Sequence, residues 1–254
     1  GTDAHQPVDC KTVQLWEKKM RTEESDARWI LNHTKSCPKC TNPIEKDGGC
    51  MHMTCRRPGG CGHEFCWLCL ATWSTHRDCN GVPSSGFDSK TELSKHEMMR
   101  YTHYMERYLG HHEAQRFAET KQMEQAQGLV SDLSETCRLE VSCLEFLPVA
   151  VRQIQDSRRC LKWTYALAFF GKFTQEERRL FQFHQAQLEG TLERLSDMME
   201  NTPWYGFFAA DAISTQVFHE SRLQLISLTD VVHTLFKNFR AAVEQGTLFK
   251  AAVE

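Results

Sequence analysis

Cys50 stands in the run Gly48-Gly49-Cys50-Met51-His52, a thiol on a turn almost bare of side chains, with an imidazole two residues on. Glycines on such a turn leave room for a bulky electrophile to reach the sulfur. A free thiol with a pKa near ~8.5 is only slightly ionised at neutral pH, so a neighbouring base would make it a nucleophile. The competing reading makes Cys50 a spare metal ligand or a small buried hydrophobe. The choice depends on the cysteines around it. The chain holds twelve, and eight of them crowd between Cys37 and Cys79. Cys37-Pro-Lys-Cys40 and Cys66-Trp-Leu-Cys69 are C-x2-C knuckles, a spacing that points two thiolates at one tetrahedral zinc. A disulfide framework in a secreted chain is the alternative. The residues Gly1-Thr2-Asp3-Ala4-His5 have neither the basic start nor the apolar stretch of a signal peptide, which favours zinc in a reducing compartment.

The ligands can then be apportioned. The eight cysteines with His52, His63 and His76 make eleven candidates, and two closed zinc sites need eight. Taking neighbours in order assigns Cys37, Cys40, Cys55 and Cys61 to one Zn2+ and Cys66, Cys69, His76 and Cys79 to the next. Cys50, His52 and His63 are left over, and His63 reads as a surface histidine. A rival apportionment is a cross-braced RING finger that uses Cys50 and His52 as ligands, a binding module without chemistry of its own. It is awkward, because a RING finger wants a C-x2-C directly after its histidine, whereas Cys55 is followed next by Cys61.

These side chains need elements to hold them. Residues 11–36 read as a charged helical linker with Val13, Trp16 and Met20 on one face. Residues 37–80, rich in glycine turns, predict a small zinc-stabilised domain of irregular and β structure, in which metal replaces the missing core. Residues 81–90, with Gly81-Val82-Pro83-Ser84-Ser85-Gly86, form the break. Residues 91–245 read as an all-α antiparallel bundle of about four helices. The first runs from about Lys90 to Gln127 with Tyr101, Tyr104, Met105, Tyr108 and Phe117. The second starts near Pro148, carries Val151, Ile154, Leu161, Tyr165 and Ala168, and stops at Gly171. The third opens on a capping box of Thr174 and Glu177 and ends at Asn201-Thr202-Pro203. The last runs from Val217 to Phe239. Cys137, Cys143 and Cys160 are too dispersed for a metal site. The whole is 254 residues, 41% hydrophobic and 25% charged with net charge −3, which argues against disorder and gives no electrostatic footprint for nucleic acid. The most apolar stretch, Leu161 to Phe170, is too short for a membrane span and contains Lys162.

Cys37-Pro-Lys-Cys40, Ile44-Glu45-Lys46-Asp47-Gly48-Gly49-Cys50-Met51-His52-Met53-Thr54-Cys55 and His63-Glu64-Phe65-Cys66-Trp67-Leu68-Cys69 resemble the catalytic second RING-like domain of RING-between-RING ubiquitin ligases. Arg100-Tyr101-Thr102-His103-Tyr104, Gln115-Arg116-Phe117 and Arg158-Arg159-Cys160-Leu161-Lys162-Trp163-Thr164-Tyr165 resemble the Ariadne domain of one subfamily. The resemblance implies that a ubiquitin-charged conjugating enzyme hands ubiquitin to Cys50 as a thioester, and that a substrate lysine then receives it. His52 would take the proton from the attacking amine, and Glu64 would orient His52. His5 and Cys10 match the H-x4-C that closes the second zinc site of the in-between-RING domain. Residues 1–10 would then be the end of that domain, and the chain a C-terminal fragment without its first RING, weakly active on its own. In this family the Ariadne domain folds back on the catalytic cysteine until a neddylated cullin-RING ligase relieves the block. Phe117 and Glu220 match the contact positions, while Ala118 departs from an acidic residue there, and Glu119 would point about 100° round the helix. The resemblance implies cytoplasmic and nuclear residence.

Overall fold

The computed structural model describes residues 5–22, 34–46, 48–81, 90–208 and 215–246. Its first helix, α1 (Cys10–Thr22), starts where the Asp9 carboxylate accepts the Thr12 amide at 2.7 Å. Trp16, fully buried, packs among Tyr101, Tyr108, Phe169 and Phe170 at centroid distances of 5.3 to 6.2 Å. Helix α1 is thereby anchored to the bundle rather than free.

The helical reading of 11–36 extends too far. Thr34–Ser36 is a strand, β1, paired antiparallel with β2 (Pro43–Glu45), and residues 23–33 lie outside the described ones. The knuckle is the cause. The Cys37 amide donates to Asn42 O at 2.8 Å and the Thr41 amide to Cys37 O at 2.9 Å, which turns the chain back and lays the flanks side by side. A second hairpin pairs β3 (His52–Thr54) with β4 (Glu64–Cys66), placing His52 opposite Cys66 and Met53 opposite Phe65. Met51, Met53, Phe65, Trp67 and Leu68 make a small core, to which the bundle adds Ala114.

The bundle comprises α2 (Lys90–Phe117), α3 (Met123–Cys137), the short α4 (Val141–Leu144), α5 (Phe146–Phe170), α6 (Gln175–Asn201) and α7 (Thr215–Glu244). The helix expected to end near Gln127 is interrupted by a π-helical turn, Ala118–Gln122. It resumes to Cys137, where Arg138 takes a left-handed conformation with φ of 52°. The capping box at α6 is formed, with the Glu177 amide 3.2 Å from Thr174 Oγ1 and the Thr174 amide 2.8 Å from Glu177 Oε2. Helix α5 is central. Its contacts of Trp163 with Tyr108 and of Phe169 with Tyr101 run antiparallel to α2, and those of Arg158 with Glu193 and Thr164 with Gln185 antiparallel to α6. Contacts of Phe146 with Phe218 and Gln153 with His233 make α7 parallel to it. Among the described residues no helix is long and apolar enough to cross a membrane.

The zinc-ligand domain sits on a stripe of α2. A Cβ on Gly110 would come within 3.0 Å of Leu68 Cδ2 and 3.4 Å of Met51 Cε, so the missing side chain lets the two surfaces meet. Ala114 and Phe117 continue that stripe at i+4 and i+7. At the opposite edge Asn80, 1% exposed, is plugged into the bundle. Its amide nitrogen donates to Glu189 at 3.1 Å, its side-chain oxygen accepts Tyr165 Oη at 3.2 Å, and its carbonyl accepts Gln182 Nε2 at 3.3 Å.

Candidate active site

The metal ligands come together as two local sets. The ligand atoms of Cys37, Cys40, Cys55 and Cys61 lie within 4.8 Å of one another, and so do those of Cys66, Cys69, His76 and Cys79. A tetrahedral zinc with Zn–S bonds near 2.3 Å separates its sulfurs by about 3.8 Å. Sγ of Cys37 and Cys61 are 3.8 Å apart and those of Cys40 and Cys55 3.6 Å. The Lys39 and Cys61 amides donate to Cys37 and Cys55 Sγ at 3.4 and 3.3 Å, neutralising thiolate charge. His76 Nε2 is buried with no hydrogen-bond partner among the described residues, a lone pair that a metal would use. All twelve cysteines are free thiols, so no disulfide competes for them. Both sets therefore fit zinc. At the N-terminus His5 Nε2 and Cys10 Sγ lie 3.5 Å apart, and no further ligand joins them among the described residues.

Cys50 belongs to neither set. It precedes β3, 5% exposed, with the His52 amide donating to its sulfur at 3.4 Å. The His52 ring is positioned by Trp73, on which it stacks at 4.3 Å and 7°. Glu64 Oε2 is 3.3 Å from His52 Nε2, brought there because residues 52–54 and 64–66 are hairpin partners. On the other side Asp197 Oδ1, from α6, lies 3.6 Å from Nδ1. The imidazole thus has a carboxylate facing each nitrogen, one from its own domain and one from the bundle.

The bundle closes over the thiol. Glu193 Oε2 accepts the Met51 amide at 2.7 Å and Glu200 Oε1 accepts the Gly49 amide at 3.2 Å, so both neighbours of Cys50 are held by carboxylates of α6. Glu193 is itself gripped by both arms of Arg158, whose second nitrogen also donates to Ser196 Oγ at 3.0 Å. Burial alone would raise the Glu193 pKa, but the Arg158 guanidinium holds it at about 2. Burial pushes the Cys50 thiol well above its ordinary value, and the Glu193 and Glu200 carboxylates add to the effect. Lys46, half-buried, donates to Gly48 O, and its pKa is pushed down to about 8 by burial and by Arg158. A Cβ on Gly48 would lie 2.7 Å from Glu200 Oε2 and one on Gly49 3.3 Å from Phe117 Cδ1. The space that the two glycines leave is thus occupied by the bundle in this arrangement.

Phe117 packs on the Gly48–His52 turn, its Cδ1 3.3 Å from where a Cβ on Gly49 would lie. Glu220 does not. It lies exposed on α7 and accepts from Gln216 at 3.0 Å, and the carboxylates that reach the turn are Glu193 and Glu200 of α6. Ala118 is buried and its carbonyl accepts Gln155 Nε2 at 2.9 Å, while Glu119 accepts from Gln115 at 2.5 Å, so neither offers a charge to the site. Arg158 had a visible signature, a charge on the apolar stripe of Ile154, Leu161 and Tyr165. Trp73, Glu193, Asp197 and Glu200 had none. An open groove of about 1400 Å³ runs between the domains, lined among others by His52, Glu64, Phe117, Asp197 and Glu200, with buried Cys50 at its floor.

Residues 32–92 match the IBR domain, which spans both ligand sets, and residues 99–253 match the Ariadne domain, more than half of the chain. The chain is 38% identical to Probable E3 ubiquitin-protein ligase ARI9 of Arabidopsis thaliana over 248 residues, 96% of this chain and 44% of that protein. It is likewise 38% identical to Probable E3 ubiquitin-protein ligase ARI10 of the same plant over 246 residues, 96% and 47% of the two lengths. E3 ubiquitin-protein ligase ari-1.1 of Caenorhabditis elegans is 38% identical over 213 residues, 79% of this chain and 41% of its own. The chain spans about half the length of the curated relatives it matches. With an IBR-type domain whose two Cys/His sets could hold zinc, followed by an Ariadne domain over more than half of its length, the chain belongs to the Ariadne family.

Proposed function

We propose that the protein is a ubiquitin ligase that carries ubiquitin as a thioester on Cys50, held here in a closed, autoinhibited arrangement. The observation that supports this reading most is that Cys50, alone among the crowded cysteines, stands outside both ligand sets while the bundle grips the amide on either side of it. A zinc module using Cys50 and His52 as ligands would instead gather them into a set. In the first step the Cys50 sulfur attacks the thioester carbonyl of the charged conjugating enzyme. A new C–S bond forms, the old one breaks, and the departing thiolate takes the proton that Cys50 gives up. In the second step a substrate amine attacks the Cys50 thioester. His52 takes the amine proton and returns it to the leaving Cys50 sulfur, while Glu64 holds the ring that Trp73 supports. Zinc, when bound, supplies the fold of the turn and no reacting group. A neddylated cullin-RING ligase is the proposed partner that lifts the bundle away.

His52→Ala separates the two steps. Loading of Cys50, followed on a non-reducing gel, is expected to proceed as in the parent. Discharge to free lysine slows by about 10²-fold or more, the usual contribution of a general base. Equal loss of both steps would contradict the role.

A further inference from the structure

Acyl transfer at a thioester builds negative charge on the carbonyl oxygen, and enzymes meet that charge with backbone N–H groups aimed at it. The amide following a nucleophile is well placed for this, since the carbon bonded to the nucleophile carries the oxygen past it. In this protein that amide belongs to Met51, and an anionic oxygen already lies 2.7 Å from it, Oε2 of Glu193. The Gly49 amide has a carboxylate oxygen of Glu200 at 3.2 Å. The turn is rigidly backed, because Met51 O accepts the Trp67 amide at 2.8 Å and the next residue enters β3. The His52 amide meanwhile keeps the Cys50 sulfur beside this backbone at 3.4 Å.

Building on the thioester reading above, we propose that the Met51 and Gly49 amides are the site that receives the oxyanion of the ubiquitin thioester's tetrahedral intermediate, and that Glu193 and Glu200 fill it in the closed form. The bundle then blocks the thiol in two ways, by covering the sulfur and by placing anions where the reaction needs to create one. As the sulfur attacks, the carbonyl π pair moves onto oxygen and is held by the two N–H groups. It returns as the C–S bond to the conjugating enzyme breaks, and the same cycle repeats when the lysine amine expels Cys50. Glu193 is built for that part: it is buried, ionised by Arg158, and its Oε2 reaches the Met51 backbone donor while Arg158 holds the carboxylate from the other side.

The test uses the full chain opened by Arg158→Leu, Glu193→Leu and Glu200→Ala, which frees both amides and removes the buried charges as a pair, with residue 51 supplied as its α-hydroxy acid so that an ester oxygen replaces the N–H. Ubiquitin bearing a small-mercaptan thioester at its C-terminus loads Cys50 without a conjugating enzyme. Iodoacetamide alkylates the same sulfur with no tetrahedral oxyanion. The expected result is a loading rate about 100-fold lower with alkylation unchanged. Unchanged loading, or loading and alkylation slowed alike, overturns the assignment. If the ester protein loses its zinc, glycolic acid at position 49 replaces the other N–H, and the same selective loss, smaller or equal, is required. A complete absence of reductant-sensitive adduct in the all-amide protein would overturn the thioester reading itself, and this assignment with it.

Discussion

Replacing Phe117 and Glu200 together by alanine is expected to raise the rate at which iodoacetamide modifies Cys50 by about 10-fold or more at pH 7.5, read by peptide mass spectrometry. Two effects add. Cys50 is only 5% exposed beneath the bundle, and burial with the facing carboxylates pushes its thiol pKa well up. Each unit of that rise removes about nine-tenths of the remaining thiolate, the species that reacts. Losing the Phe117 ring from the Gly49 surface and the Glu200 bond to its amide loosens both constraints, while Glu193 still holds the Met51 amide. Glu220→Ala serves as the comparison, since Glu220 is exposed on α7 away from the turn, and it is expected to leave the rate unchanged. Equal rates in the double variant and the parent would contradict a bundle that restrains the thiol.

Arg158→Leu is expected to destabilise the helical domain by about 3–5 kcal/mol, the cost of stripping the partner from a buried charge. For a chain of this size that lowers Tm by roughly 6–20 °C. Arg158 is fully buried and grips Glu193 with both nitrogens, so the lone carboxylate would lose its close cationic partner and be left facing Lys46 and His111, whose charged forms burial disfavours. Arg158→Leu with Glu193→Leu removes both charges, and most of the lost Tm is expected to return. The double variant nevertheless leaves the Met51 amide without its acceptor, so its Cys50 reacts faster than the parent's although the bundle is folded. Stability and restraint are thereby separated. A pH titration has a definite sign as well. Because the folded Glu193 pKa is depressed to about 2, its contribution is complete above the ordinary carboxylate range near 4.5 and is lost as pH falls toward 2. The leucine pair should lack that acid limb. A double variant as unstable as the single one would contradict the account of the pair.

The metal ligands were legible because each set is contiguous in sequence and each knuckle announces itself by C-x2-C, and Cys50 emerged by subtraction. Glu64 could be placed near His52 only through the family resemblance, yet the hairpin of 52–54 with 64–66 supplies the physical reason. The bundle side of the site was hard to read. Glu193, Asp197 and Glu200 each lie more than 140 residues from Cys50, all on one helix, and a hydrophobic stripe tells which face is buried without saying against what. Glu220 and Glu200 look alike in sequence, each an acid on the polar side of an amphipathic helix, so only the packing distinguishes them. The docking stripe of Gly110, Ala114 and Phe117 hid in a helix whose aromatic residues drew attention to another face. The strand at Thr34–Ser36 was missed because a three-residue strand has too few positions to show a period.

The most direct measurement is the native mass of the Cys50→Ser protein after incubation with ubiquitin carrying a mercaptan thioester, the serine variant and its Cys50 parent both carrying the opening substitutions Phe117→Ala and Glu200→Ala. The predicted species is the chain with two zinc ions and one ubiquitin, joined by an oxyester that survives reductant and is cleaved by mild base, whereas the parent's adduct is lost in reductant. A Cys50→Ser protein that retains one zinc ion or none, or that holds two and never acquires ubiquitin while the parent does so elsewhere, would contradict a metal scaffold built around one reactive sulfur.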